Sequence, residues 1–323
     1  MLSLISAEKS FDDPWIGHPE LNGFAGLHRH RMALAEAMTR ARCRLAGRPE
    51  AAEAYAGPLG SLARDGVALV TDALPGDMFE RLCAEAEAAL GAEACASRAA
   101  MAPVAMPAAM PARAGRGGAL AAALLPEDTA MPHGDRHLSH RADPATAPLA
   151  AAALALPLVR ALAQDTLGQP RVVAAPALHL ALAGGAEEAP LLDWAMHRDS
   201  FCRGLKLWLT LTPVGEAEGP LVYLAGSHRL TRRRLAWEQS VATRLSTLRG
   251  PALSKAGRFR IGEAEIAALG YDERDRRVLS CPANTLIAIN TLGFHARLPA
   301  RPGTERLAVE GRIAPNPFAL RAS

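Results

Sequence analysis

The stretch DWAMHRDSFCRGLKLWLTLTPV, residues 193–214, indicates how this chain folds. It places His197 and Asp199 two residues apart, directly before a run in which every second residue is leucine. Side chains two apart on a strand project from the same face, so this imidazole and carboxylate are expected to converge as two metal ligands must. In the following run Lys206 and Trp208 share one face of the predicted strand, and the leucines take the other. Two such residues alone are weak evidence, and a surface hydrogen-bonded pair is the alternative interpretation.

Short β-type runs continue from here to the C-terminus. They are RVVAAPALHLAL (171–182), GPLVYLAGSH (219–228), NTLIAIN (284–290) and ERLAVEGRI (305–313). Each is rich in Val, Leu or Ile, and glycine or proline turn signals separate them. This spacing is typical of an antiparallel sandwich or small barrel. A helical insertion is predicted at about residues 230–268.

The upstream part of the chain is predicted to be mainly helical. Residues 1–55 form a helical extension, and residues 56–323 form one domain. Within that domain the sequence predicts a short strand at 67–70, a helix after the turn at 74–76, and a helix over 147–165 that ends before Gly168. Residues 96–126 carry Ala, Met, Pro and Gly without periodicity, which predicts a loop or flexible flap.

Composition excludes several classes of protein. The chain has 323 residues, half of them hydrophobic, and its 36 basic and 33 acidic residues leave a net charge of only +3. That balance argues against wholesale disorder and against a nucleic-acid partner. Five scattered cysteines without a CxxC pair are typical of a cytoplasmic protein rather than a disulfide scaffold. The N-terminus lacks a secretory pattern, and the most apolar stretch, 147–159, is too short for a membrane span.

A second histidine and an arginine complete a candidate site. PANTLIAINTLGFHAR, residues 282–297, is a β-type run that ends around His295, and Arg306 follows eleven residues later at the start of another run. Two histidines and an aspartate match a facial triad that leaves open positions on Fe(II). A nearby arginine binds a carboxylate through forked hydrogen bonds. A 2-oxo acid cosubstrate needs that combination.

These features together resemble the phytanoyl-CoA dioxygenase family. They are the HxD at 197–199, GPLVYLAGSHR at 219–229, His295 with Arg306, and the opening segment LARDGVALVTDALPGDMFERL at 62–82. The resemblance covers roughly residues 60–315. It implies a jelly roll, the cupin-like double-stranded β-helix, with flanking and inserted helices. It also implies an oxygenase that uses Fe(II), 2-oxoglutarate and O2.

Residue by residue, the resemblance assigns the site. His197, Asp199 and His295 fall on the iron ligands, and Arg306 falls on the partner of the cosubstrate carboxylate. Arg297 stands where such enzymes often carry a small hydroxyl residue, so either it helps to bind an anion or the cosubstrate contacts differ. Because Asp199 is intact, a halogenase is disfavoured.

Other candidate residues keep their alternatives. Lys206 and Trp208 are candidates for cosubstrate binding, against the alternative of a lysine that packs along a tryptophan. His133, His137 and His140 could contact substrate or a second metal, or lie in a plain loop. A structural role is favoured for His228 in its turn, and His179 is expected to be a buried, hydrogen-bonded residue. The interpretations of these five histidines rest on the sequence alone.

The implied reaction is oxidation, such as hydroxylation, of an unactivated C–H bond in a small-molecule, lipid or carrier-linked substrate. Arginines around the predicted barrel mouth indicate an anionic one. Two alternatives stay open. One is a cupin-like metal protein, an isomerase or binding module, that would not need Arg306. The other is a pseudoenzyme that serves as an interaction surface, against which the complete triad argues.

Overall fold

The computed structural model describes residues 26–100, 136–168, 176–183, 196–245 and 259–318. In chain order its regular elements are α1 (His28–Ala46), α2 (Ala56–Asp65), β1 (Val67–Val70), α3 (Gly76–Ala100), β2 (Arg136–Arg141), α4 (Pro148–Ala152), α5 (Pro157–Leu167), β3 (Ala177–Leu182), β4 (Leu205–Thr210), β5 (Leu221–Leu224), α6 (Arg232–Leu245), α7 (Glu263–Leu269), a 3-10 turn (Glu273–Asp275), β6 (Arg276–Val278), β7 (Thr285–Asn290), β8 (His295–Arg297) and β9 (Glu305–Ile313).

The strands form two antiparallel sheets. The larger has the order β1-β7-β4-β9-β3-β2 and the smaller the order β6-β5-β8. A single-residue bridge from His197 to His295 adds the segment before β4 to the smaller sheet. From β3 onward the chain therefore passes back and forth between the sheets, which is the connectivity of a jelly roll. The predicted fold class, a jelly roll with flanking helices, is confirmed.

Strand β4 separates the core from the cavity. Leu205, Leu207 and Leu209 are fully buried in one apolar cluster with the helices that cover the larger sheet. The alternate residues Lys206 and Trp208 face the space between the two sheets. Burying one such leucine side chain contributes about 1.5–3 kcal/mol, so the leucine face anchors the strand and sets the direction of the other face.

The predicted helix over 147–165 is two helices. The helical region breaks into α4 and α5 because Pro157 lacks the backbone N–H that a continuous helix requires. Helix α5 ends at Gly168, which has a left-handed φ of 65°. By length and composition alone, Pro148–Leu167 could cross a membrane, but half of that window is buried inside the protein. Val159 and Leu162 are fully buried in the core. Core packing therefore accounts for this apolar sequence.

One predicted boundary is wrong. Helix α3 runs to Ala100, so the first five residues of the loop predicted at 96–126 are helical. Their sequence, within EACASRAA at 93–100, is rich in alanine and contains neither Gly nor Pro, which favours continuation of the helix. Residues 101–126 lie outside the described residues. Helices α6 and α7 fall in the predicted insertion at 230–268, and the division at residue 55 stays a prediction.

Candidate metal centre and cavity

Three buried side chains converge between the sheets. His197, Asp199 and His295 are 4%, 3% and 2% exposed. They offer ligand atoms that all lie within 4.8 Å of one another, and in the described part of the chain no other group of His, Cys, Asp or Glu does so. The Nε2 atoms of both histidines lie 3.6 Å from a carboxylate oxygen of Asp199.

Paired backbone hydrogen bonds place the two imidazoles side by side. His197 N–H donates to the His295 carbonyl and His295 N–H to the His197 carbonyl, each at 2.9 Å, and the ring centroids are 4.6 Å apart. The prediction of a regular strand through the HxD is wrong. His197 makes only isolated bridges, to His295 and Arg260. Asp199 lies in a bend, where its N–H donates to the Thr291 carbonyl at 3.1 Å.

The donor atoms fit a divalent metal. The Nδ1 of His295 donates to the Gly293 carbonyl at 3.1 Å, which leaves the lone pair of Nε2 for a metal. Oδ2 of Asp199 is buried and has no hydrogen-bond partner. Such an acceptor is costly to bury, and coordination to a cation would satisfy it. Two imidazoles and one carboxylate are also the donor set of an Fe(II) facial triad.

The carboxylate is held in its charged form. Burial alone would raise the pKa of Asp199, but neighbouring His295 and Lys206 outweigh burial and hold that pKa well below its usual value. The Nζ of Lys206 lies 3.9 Å from Oδ2 of Asp199. An ionised carboxylate is the form that binds metal.

A cavity of about 360 Å³ opens onto both histidines. Residues from β3, β4, β8 and β9 line it. Its charged lining comprises Lys206, Arg297, Arg306, Glu310 and Arg312. Asp199 does not line the cavity but lies beside His197 and His295, which do. The cavity and the metal centre thus together contain every site residue predicted from the sequence, Trp208 included. Their individual roles stay predictions.

Two of the arginines that line this cavity lie on β8 and β9. Nη1 of Arg306 donates to the Gly219 carbonyl at 2.7 Å, which orients the guanidinium. Arg297 is two residues after His295 on β8 and pairs in register with Leu221. Because β8 belongs to the smaller sheet and β9 to the larger one, the two arginines line the cavity from different sheets.

A second charged group lies beside the metal centre. Glu310 accepts hydrogen bonds from Trp208 Nε1 at 3.1 Å and from Arg312 Nε at 3.2 Å, and the Nζ of Lys206 is 3.9 Å from its Oε1. Burial would raise the pKa of Glu310, but Lys206 and Arg312 outweigh it and lower that pKa. The sequence analysis missed Glu310 and Arg312. The period of two along ERLAVEGRI places both on the face of Arg306 and could have identified them.

Among the described residues, no other histidine joins the His197, Asp199 and His295 group. His228 is buried, donates from Nε2 to the Ala63 carbonyl at 3.3 Å, and has its pKa lowered to about 4 by burial, as fits a structural residue. The prediction that His179 is buried is wrong: it is partly buried and lines the cavity, because the face of β3 that carries it is the open one. His140 is exposed on the edge strand β2, whereas His133 and the side chain of His137 lie outside the described residues.

The phytanoyl-CoA dioxygenase family model matches residues 62–258, a range that includes His197 and Asp199 and ends before His295. No curated protein matches the chain.

Several solved structures are similar to it. The epimerase SnoN, with Fe3+, α-ketoglutarate and nogalamycin RO, is 16% identical with a TM-score of 0.48, over 81% of this chain and 84% of that one. AviO1 from Streptomyces viridochromogenes is 18% identical with a TM-score of 0.45, over 83% and 97%. HygX from Streptomyces hygroscopicus, with nickel, 2-oxoglutarate and hygromycin B, is 13% identical with a TM-score of 0.42, over 80% and 86%.

Proposed function

This chain belongs to the phytanoyl-CoA dioxygenase family, and from that premise we propose that it is an Fe(II)- and 2-oxoglutarate-dependent oxygenase that hydroxylates a substrate C–H bond. The observation that carries the proposal is the buried His197, Asp199 and His295 cluster, in which Oδ2 of Asp199 has no hydrogen-bond donor. When bound, Fe(II) with 2-oxoglutarate and O2 supplies the oxidising chemistry, in which the substrate gains a hydroxyl and 2-oxoglutarate becomes succinate and CO2.

In this proposal the chain's own residues bind the metal, bind and orient the cosubstrate, and enclose the reacting atoms. The three ligands would hold the metal, and Fe(II) in such a set can also take cosubstrate and O2. Arg306, oriented by its bond to the Gly219 carbonyl, would bind the far carboxylate of 2-oxoglutarate, and Arg297 adds a second guanidinium to the cavity lining. Lys206 and Trp208 border the cosubstrate beside the metal. Burial of all three ligands keeps bulk water away from the reacting atoms.

The charge of the cavity supports an anionic substrate. Its lining carries Lys206 and three arginines against one carboxylate, Glu310, and the carboxylate of Asp199 lies next to the cavity in the metal centre. Fe(II) and a 2-oxoglutarate dianion cancel each other in charge, so cationic groups stay in excess when both are bound. We therefore propose a carboxylate- or phosphate-bearing small molecule, or a carrier-linked one, as the substrate.

An anaerobic optical titration tests the oxygenase proposal. Apo-protein receives Fe(II) and then 2-oxoglutarate, beside the variants His197→Ala, Arg306→Ala and Arg301→Ala, the last an exposed arginine that serves as the matched control. We expect a visible charge-transfer band that needs both additions. It disappears in His197→Ala, needs more 2-oxoglutarate in Arg306→Ala, and is unchanged in Arg301→Ala. A folded, metal-loaded protein without a band would favour the cupin-like or pseudoenzyme alternatives.

The substrate proposal has its own test. Succinate release is measured with a panel of organic acids and phosphate esters, each paired with a neutral amide or alcohol analogue. We expect stimulation by members of the anionic set and weaker stimulation by their neutral partners. Stimulation by neutral compounds alone would contradict an anionic substrate and leave the oxygenase proposal standing.

A further inference from the structure

A buried charge cluster lies directly behind the metal centre and outside the cavity. It consists of Glu238 and Arg234 of α6, Arg198 and His28, and we call it the Glu238 cluster. Glu238 is fully buried, and the other three are each 1% exposed. Arg198 is the residue between the two ligands of the HxD, so the cluster contacts the metal centre through the backbone of that segment.

Glu238 binds both arginines at once. Nε of Arg198 donates to the two carboxylate oxygens at 2.8 and 3.0 Å, and its Nη2 donates to Oε2 at 2.9 Å. Nε and Nη2 of Arg234 donate to Oε1 at 3.0 and 2.8 Å. Burial alone would raise the pKa of Glu238, but the two arginines outweigh it and lower that pKa strongly. The carboxylate is therefore a fixed anion with two fixed cations.

Arg234 extends the cluster to the segment that carries the second histidine. Its Nη1 donates to the Ser227 carbonyl at 2.6 Å and its Nη2 to the Leu292 carbonyl at 3.0 Å. The hydroxyl of Ser227 accepts from the N–H of Phe294, the residue before His295, at 2.8 Å. One carboxylate thus connects the HxD segment, through Arg198, with the segment that leads into His295.

We propose that Glu238 is a positioning residue for the metal centre. It fixes Arg198 and Arg234, and these hold residues 197–199 and residues 291–295 at the separation at which three ligands reach one ion. Buried ion pairs contribute little net stability compared with apolar side chains of the same volume. Ligands of a metal centre, in contrast, must be held to a fraction of an ångström. The inference rests on the metal role proposed for His197, Asp199 and His295.

Helix α1 completes the cluster from outside the matched family region. Nε2 of His28 lies 3.3 Å from Oε2 of Glu238 and 3.3 Å from Nη2 of Arg198. Its ring stacks on Phe259 at 5.1 Å, and the guanidinium carbon of Arg198 lies 3.8 Å from the centre of the same ring. The helix therefore covers the cluster and excludes water from it.

The test is carried out on the full chain with Co(II), whose visible d–d bands report ligand geometry. The double variant Arg198→Met, Glu238→Gln removes both charges of one buried pair. The glutamine keeps an amide oxygen as an acceptor for Arg234. The control is Glu36→Gln. It breaks a forked pair that is less buried, Glu36 with Arg203 at 2.5 and 2.8 Å, and this pair makes no contact with the ligand segments among the bonds described.

We expect the double variant to keep a cooperative thermal transition but to bind Co(II) at least ten-fold more weakly, with altered d–d bands. In its apo form the Asp199 and Phe294 amides exchange hydrogen faster. Glu36→Gln keeps the affinity and spectrum of the wild type. A folded double variant with unchanged affinity and bands, or an equal loss in Glu36→Gln, would overturn the inference.

Arg198→Lys provides a second variant that keeps the charge and loses the forked contact. We expect weaker Co(II) binding in it as well, and wild-type binding would overturn the inference even if the double variant does not fold. Failure of the wild-type protein to bind Co(II) is a different result, because it would remove the proposed metal centre itself.

Discussion

Replacing Lys206 by methionine is expected to tighten metal binding and to weaken 2-oxoglutarate binding. The Nζ of Lys206 lies 3.9 Å from Oδ2 of Asp199. At an effective dielectric constant of about 20, two unit charges at that distance attract by about 4 kcal/mol. In the apo-protein this attraction competes with the metal for the carboxylate, and after binding the ammonium repels the cation. Methionine keeps an apolar stem of similar length and removes only the charge.

The observable change is smaller than this Coulomb value. Lys206 is 15% exposed and lies equally close to Glu310, so part of its charge is already compensated. With a quarter to a half of the interaction realised, the gain is about 1–2 kcal/mol, or about 5- to 30-fold in metal affinity. Loss of a cation beside the cosubstrate is expected to weaken 2-oxoglutarate binding several-fold.

The assay is an anaerobic competition titration of apo-protein with Co(II) against a chromophoric chelator, followed by titration of the loaded protein with 2-oxoglutarate. Lys206→Arg is the control because it keeps the charge, and it should bind metal as the wild type does. Weaker metal binding in Lys206→Met would refute this electrostatic reasoning. So would an equal gain in Lys206→Arg, which would indicate packing rather than charge.

Three further predictions concern stability. Burial lowers the native pKa of His228 to about 4, so the unfolded chain takes up the proton first as the pH falls below the ordinary value of 6.5. The free energy of unfolding should therefore drop by about 2 kcal/mol from pH 7 to pH 5, and by less in His228→Gln, in urea titrations at both values. Gly293→Ala would place its Cβ 1.8 Å from the buried hydroxyl of Tyr223, so it should lower the free energy of unfolding by about 1–3 kcal/mol. It should also weaken metal binding in calorimetric titrations, because it shifts the carbonyl that orients His295. Leu207→Ala should cost about 2–5 kcal/mol in urea titrations and leave metal affinity unchanged, because its side chain faces the helix-covered core.

For each of these three predictions, one result would contradict the stated reason. The same loss between pH 7 and pH 5 in His228→Gln would assign it to another group. Full stability and metal affinity in Gly293→Ala would show that Tyr223 moves aside freely. Weaker metal binding in folded Leu207→Ala would show that the two faces of β4 are coupled.

The parts of the site that the sequence predicted depend on local signals. Alternation along LKLWLT placed Lys206 opposite the leucines, and the structure agrees because a strand has only two faces. The polar segment RHLSHR offered no such signal. It is strand β2 only because it pairs with β3 along its full length as an edge strand.

The burial of charged residues, in contrast, did not follow from local sequence signals. Arg234 belongs to the basic run at 229–234 and His28 to the arginine- and histidine-rich start of α1, compositions that are typical of solvated helical faces, yet both residues are buried. A charge can be buried only where a partner compensates it. Their partner Glu238 lies four residues after Arg234 on α6 but 210 residues from His28. The local spacing allows the pair of Arg234 with Glu238, but no local pattern shows that this pair is buried or that His28 joins it.

The sequence by itself therefore determined strands β1, β3, β4, β5, β7 and β9, the apolar face of β4, and the residue types and spacing of the His197, Asp199 and His295 set, because periodicity and turn signals act over a few residues. Only the tertiary structure decided which long-range segments meet. It left Oδ2 of Asp199 buried without a hydrogen-bond partner, directed His179 and Glu310 into the cavity, and placed the Glu238 cluster behind the metal centre. These outcomes depend on contacts between segments far apart in the chain, which exist only when both sheets and α1 are in place.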